Sequence, residues 1–260
     1  EWPVVCILKR VDEMTSLTGS VVRIAMWSGP RNISTAMMRA WENRSDSVVV
    51  DEPLYAHYLS VTGKGHPMSS EVIAAGETDW EKAAEWLTES EPRGAGVFYQ
   101  KHMAHHLLPD MGRDWIDGLT SCLLIRDPAE MITSYIVKND VPTMEDLGMD
   151  QLVEVYERVV NRTGVVPPIV DSRDVLENPR RVLGLLCEAV GVEFSESMLT
   201  WPVGRRDSDG VWASHWYDRV EQSTGFDGYR PKPDRVPDEL GGLLEECQSC
   251  YDRLYSRRLV

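Results

Sequence analysis

The chain has 260 residues, 42% of them hydrophobic, enough for a substantial core in one large α/β domain or two smaller ones. Asp and Glu outnumber Lys and Arg by 42 to 27, a net charge of −15. That balance argues against a general nucleic-acid or anionic-membrane binder, since both need clustered cations, but leaves room for a local basic pocket.

Residues 1–20 read as an N-terminal arm and residues 21–260 as a single domain. The stretch Val21-Val22-Arg23-Ile24-Ala25-Met26-Trp27 is apolar, of strand length and β-branched at its start. Ser28-Gly29-Pro30 breaks it. Ser34 or Thr35 is placed to cap a helix, and residues 36–41 are good helix sequence. Strand, tight polar loop and helix make a phosphate cradle, because free N–H groups and the helix dipole favour an anion there. Arg31 adds a cation, and Ser34 and Thr35 add hydroxyl donors. The loop lacks the second Gly and the Lys of G-x-x-x-x-G-K-[ST], which predicts a different phosphate ligand and no metal. An ordinary strand–turn–helix with a solvated Arg31 is the plainer alternative.

Residues 47–51 read as a buried strand ending in Asp51-Glu52-Pro53, and carboxylates at such a strand end face the ligand crevice of a parallel sheet. Lys64 and His66 read as surface residues. Helical patterns at 69–75 and 80–87 precede a third strand, which ends in Lys101-His102-Met103-Ala104-His105-His106. Histidine is the usual base near neutral pH, and a helix from Ala104 would put His102 and His106 on one face. Residues 119–125 are nearly all apolar, as in a sheet covered on both faces. Arg126 stands at the strand end, Pro128 opens the next helix, and Ser134 lies eight positions on, so Arg126 and Ser134 can converge on one phosphate. A salt bridge from Arg126 to Asp127 or Asp51 is the structural alternative.

Residues 144–162 predict one amphipathic helix and 165–171 a last strand. The alternation of strands and helices means a three-layer α/β sandwich with a central parallel sheet. The tail, about 201–233, is rich in Trp, Arg, Gly and Pro. Trp212, Trp216 and Tyr217 are placed to wall an acceptor pocket, and Arg205, Arg206, Arg230 and Lys232 to close over an anion. Residues 240–254 predict a closing helix. The five cysteines are odd in number and scattered, so neither a disulfide framework nor use of Cys247-Gln-Ser-Cys250 as a zinc site is expected. No apolar run is long enough to span a membrane and the start does not read as a signal peptide, so a soluble, cytoplasmic protein is expected.

Two phosphate sites at two strand ends, with a histidine at a third, resemble the layout of sulfotransferases that use 3′-phosphoadenosine-5′-phosphosulfate (PAPS), in a divergent, microbial-looking branch. Pro30-Arg31-Asn32-Ile33-Ser34-Thr35 stands where that family has P-K-S-G-T-T, with Arg31 for Lys and Ile33 for Gly. Arg126 and Ser134 match its R-x(7)-S motif. Leu107-Leu108-Pro109 matches the L-L-P found shortly after its catalytic histidine, which places His102 there. The resemblance implies the P-loop nucleotide-binding, sulfotransferase-like architecture and sulfuryl transfer from PAPS to a hydroxyl or amine of a small-molecule acceptor, without a metal. Arg31 through Thr35 would hold the 5′-phosphosulfate and Arg126 with Ser134 the 3′-phosphate, supported by Arg230 and Lys232. His102, or Glu52 as in some bacterial relatives, would be the base. Tyr55, His106, Trp212, His215 and Trp216 are the candidates for the acceptor wall. A P-loop kinase-like phosphotransferase and a non-catalytic nucleotide-binding module are the rival readings, and oligomeric state is not legible.

Overall fold

The computed structural model describes residues 20–92, 94–231 and 235–260. The expected arm therefore lies almost wholly outside the described residues, as does Lys232. Five strands are described: β1 Val22–Ser28, β2 Ser47–Asp51, β3 Val97–Met103, β4 Thr120–Ile125 and β5 Ile169–Asp171. All neighbours pair in parallel, in the order β2-β3-β1-β4-β5. The helices are α1 Ser34–Glu42, α2 Tyr55–Thr62, α3 Ser69–Ala75, α4 Trp80–Glu89, α5 Pro128–Tyr135 and α6 Met144–Leu147. They continue with α7 Met149–Thr163, α8 Ser172–Glu177, α9 Pro179–Ala189, α10 Ala213–Trp216, α11 Asp218–Glu221 and α12 Gly241–Tyr255.

Alternation along β1 explains how the sheet is covered. Ile24 and Met26 face a cluster with Met37 and Trp41 of α1 and Leu183 and Leu186 of α9. Ala25 and Trp27 face the opposite cluster, with Leu152 of α7 and Leu254 of α12. Both clusters are almost fully buried, so the sheet is the middle of three layers and its strands read as near-continuous apolar runs. With β1 central, connections leave to both sides, and the crevice opens beyond the carboxyl ends of the strands.

Three local expectations are corrected. Neither Ser34 nor Thr35 caps α1; Ile33 holds the cap position and no side chain accepts from the first turn. Residues 144–162 do not form one helix, because Gly148 at φ +66° ends α6 and starts α7. A Cβ there would lie 2.7 Å from the His105 backbone nitrogen, so the glycine lets the chain pass close to the turn after β3. The last strand is shorter than its apolar run, Ile169–Asp171, and Val165 and Val166 stay outside it.

Candidate active site

The strand ends open on one cavity of about 680 Å³. Its floor at one end is the loop after β1. Arg31 there has φ +55°, a left-handed conformation that costs a non-glycine residue about 1–3 kcal/mol and is kept only where surroundings fix it. The turn presents the Arg31 carbonyl to Arg126 Nη1, which donates to it. The Arg31 side chain returns across the cavity, with Nε donating to the Ser134 carbonyl at 3.2 Å and to Ser134 Oγ at 3.3 Å. The two motifs read separately in sequence are thus one hydrogen-bonded unit.

Arg126 Nε and Nη2 reach Glu130 Oε2 at 3.2 and 3.0 Å, and Glu130 Oε1 accepts from the Tyr229 hydroxyl at 2.6 Å. The ion-pair partner of Arg126 is therefore Glu130, in the first turn of α5, and not Asp127 or Asp51. Asp127 caps α5. Asn32 lines the cavity, yet both ends of its amide are engaged by the protein: Nδ2 donates to the Leu124 carbonyl at 3.0 Å and Oδ1 accepts from Ile33 N–H at 2.9 Å. Ile33, Ser34 and Thr35 line the cavity too, and the first turn of α1 leaves amide N–H groups for an anion.

Arg219 and Arg230 reach the same cavity from the tail. Arg219 carries no signal in the sequence, because α11 is one short turn without a periodic pattern. Burial, then the neighbouring charges of Arg126 and Arg219, lower the pKa of Arg31. Arg205 and Arg206 do not line the cavity. Arg206 donates to the Pro202 carbonyl at 2.6 Å and faces Glu42 at 3.8 Å, anchoring the tail to α1.

The other end of the cavity is built on β2 and β3. Glu52 lies just after β2 with φ +42°, again left-handed, its N–H bonded to the Lys101 carbonyl at 3.0 Å. Lys101 is 1% exposed and its ammonium serves three oxygens: Asp51 Oδ1 at 2.8 Å, the Tyr217 hydroxyl at 2.9 Å, and Glu52 Oε1. Burial pushes the Glu52 carboxyl upward, and the Lys101 charge only partly offsets it. Tyr55, His106, Trp212 and Trp216 line this end of the cavity, joined by Tyr58 and His66. The His106 ring stacks on Tyr55 at 4.9 Å, and Trp212 meets Tyr55 edge-on at 5.1 Å.

Several sequence expectations fail here. His66 is no bystander: it lines the cavity and its Nδ1 pairs with the Tyr55 hydroxyl at 2.9 Å. His215 is exposed and touches Trp216 rather than the cavity. His102 is the main correction. It shares a face with Trp27, its register partner, and stacks on that ring at 4.2 Å. Successive strand residues point to opposite faces, so Lys101 and Met103 reach the cavity while His102 enters the core beneath the sheet. Among the described residues its one hydrogen-bond partner is Gln100 Oε1 at 3.2 Å, and burial pushes it down to about 3. After β3 the chain makes a single 3-10 turn, Ala104–His106, so His102 and His106 do not share a helix face.

This chain matches the sulfotransferase domain family over residues 22–257 and belongs to it. It is 33% identical over 234 residues to branched-chain-amino-acid aminotransferase-like protein 1 of Arabidopsis thaliana, covering 90% of this chain and 41% of that protein. It is 32% identical over 231 residues to protein 2 of the same description and plant, covering 89% of this chain and again 41% of the relative. The chain thus spans well under half the length of those relatives. Among solved structures, a sulfotransferase from Alicyclobacillus acidocaldarius aligns with a TM-score of 0.51 at 11% identity, over 93% of this chain and 98% of that one, which shows a shared fold. Among the described residues, no helix is long and apolar enough to cross a membrane, and no cluster of three or more metal-ligating side chains occurs.

Proposed function

We propose that this protein transfers a sulfuryl group from PAPS to a hydroxyl or amine of a small acceptor, with Glu52 as the base. The observation that carries the reading is the convergence of Arg31, Arg126, Arg219 and Arg230 on one cavity of a chain whose net charge is −15. Burial, and then the neighbouring charges of Arg126 and Arg219, lower the Arg31 pKa, so an anion entering among these side chains is favoured. Arg31, Ser34, Thr35 and the first-turn N–H groups of α1 would take the 5′ end of the nucleotide; Arg126 and Ser134 would take the 3′-phosphate. PAPS supplies the sulfuryl group and the stable leaving bisphosphate. The protein's part is positioning, plus cations and amide dipoles aimed where negative charge builds on the leaving oxygen.

Glu52 takes the base's role in this scheme because it lines the cavity and His102 does not. A carboxyl lifted by burial is a better proton acceptor near neutral pH than an ordinary one. The aromatic side chains opposite give a largely apolar floor on which a small acceptor can lie.

Thermal shift with adenosine 3′,5′-bisphosphate, ADP and ATP, the last two with and without magnesium, tests the proposal. Stabilisation by the bisphosphate well above both other nucleotides is expected. A larger, magnesium-dependent shift with ATP would instead support a phosphotransferase.

A further inference from the structure

The Lys101 cluster carries more than the base. Residues 201–231 form a strap that supplies Trp212, Trp216, Tyr217, Arg219 and Arg230 to the cavity wall. The strap is pinned beside the sheet by Arg39, whose Nη2 donates to Asp209 Oδ2 at 2.7 Å, and by the N–H of Gly210 to Asp51 Oδ2 at 3.3 Å. Tyr217 is 5% exposed and lies beyond Gly210 on the same strap. Its hydroxyl donates to Asp51 Oδ2 at 2.7 Å and accepts from Lys101 Nζ at 2.9 Å and from Trp212 Nε1 at 3.3 Å. A continuous chain therefore runs from the acceptor wall, Trp212, through the Tyr217 hydroxyl and the Lys101 ammonium to the Glu52 carboxylate.

We infer that Lys101 and Tyr217 are positioning residues that tie the alignment of the Glu52 carboxylate to the seating of the strap. This rests on the reading of Glu52 as the base. Lys101 has three donors and three oxygens around it, so its direction is set by how all three are placed. With Tyr217 seated, Asp51 Oδ2 is satisfied by the tyrosine hydroxyl, and the ammonium is shared between Asp51 and Glu52. When Tyr217 withdraws, Asp51 loses that donor and draws the ammonium onto itself, leaving Glu52 poorly paired in a buried place. The titratable groups facing Glu52 are Lys101 from β3, Asp51 from β2, Tyr55 from α2 and Tyr217 from the strap, so among the described residues Lys101 is the sole cation of that set. The left-handed backbone at Glu52, pinned by its N–H to Lys101 and its carbonyl to Tyr55 N–H at 3.0 Å, leaves the side chain as the part free to respond.

The test is Tyr217→Phe, read by two titrations. The first is the pH dependence of PAPS turnover with water as acceptor; the second is the carboxyl titration of Glu52 by 13C NMR, assigned with Glu52→Gln. Expected are turnover near pH 7 lowered about tenfold or more, and both the acid limb and the carboxyl titration moved to higher pH. Lys101→Met can fail to fold because it strands two carboxylates, so Lys101→Met with Asp51→Asn is the second variant; it should move Glu52 upward further. If Glu52 titrates in Tyr217→Phe as in the wild type, or at lower pH, the inference is overturned. The NMR titration decides this where turnover to water is too slow to follow. Failure of the wild type to bind the bisphosphate would instead sink the sulfuryl-transfer reading itself.

Discussion

At the scale of single residues, the site turns on which way a side chain points. Lys101 and His102 are neighbours at the end of β3, and only the register with β1 and β2 settles which faces the cavity. The sequence shows a histidine-rich strand end, but the phase of a two-residue alternation is invisible when both candidates are polar. One signal is present: Val97, Tyr99 and Lys101 alternate, and a lysine in phase with buried residues needs buried carboxylates, which Asp51 and Glu52 supply. His102→Phe is therefore expected to leave bisphosphate affinity and PAPS turnover unchanged. Glu52→Gln should keep donor binding and lower turnover about 10²- to 10⁴-fold, the usual worth of a general base. Steady-state rates with calorimetric binding check both.

At the scale of elements, the cradle after β1 and the junction from β4 to α5 are legible because they combine apolar runs with turn residues at fixed offsets. The strap is legible only as composition. Its anchors, Arg39 to Asp209 and Ser208 to Glu42, join positions more than 160 apart in sequence, and no local pattern announces them. Glu130 escapes notice for a related reason. A glutamate in the first turn of a helix reads as dipole complement, whereas here it orients Arg126 and holds Tyr229. Asp209→Ala would leave Arg39, 1% exposed, with only the half-buried Glu42 as counterion. Breaking such a pair from one side costs about 3 kcal/mol. Urea denaturation should show that loss, and Arg39→Met combined with Asp209→Leu should recover much of it.

For the whole molecule, the alternation of strands and helices conveys the three-layer architecture, while the number of imidazoles locked away is visible only in three dimensions. Burial lowers the pKa of His102 and His105 to about 3, and that of His106 well below its ordinary value. Between the unfolded histidine pKa, near 6.5, and these folded values, the unfolded chain binds more protons than the native one, so stability falls as pH falls through that window. Glu42, Glu52 and Asp171, whose pKa values are raised, bind protons earlier in the native state and act in the opposite sense. A difference measurement isolates one histidine from the rest. The stability of His102→Phe relative to wild type should rise by about 1.4 kcal/mol for each pH unit of acidification between about pH 6 and 4. Parallel denaturation curves at several pH values check this slope.

In the proposed scheme Arg31 and Arg126 serve two phosphate-bearing ends of one nucleotide in a shared cavity. Isothermal titration calorimetry of wild type and Arg126→Ala with adenosine 3′,5′-bisphosphate and with ADP tests it most directly. The bisphosphate should lose about 1.5–3 kcal/mol of binding free energy, the worth of a charged hydrogen bond, while ADP, without a 3′-phosphate, is nearly indifferent. Equal losses for the two ligands, or no loss for either, would contradict the assignment.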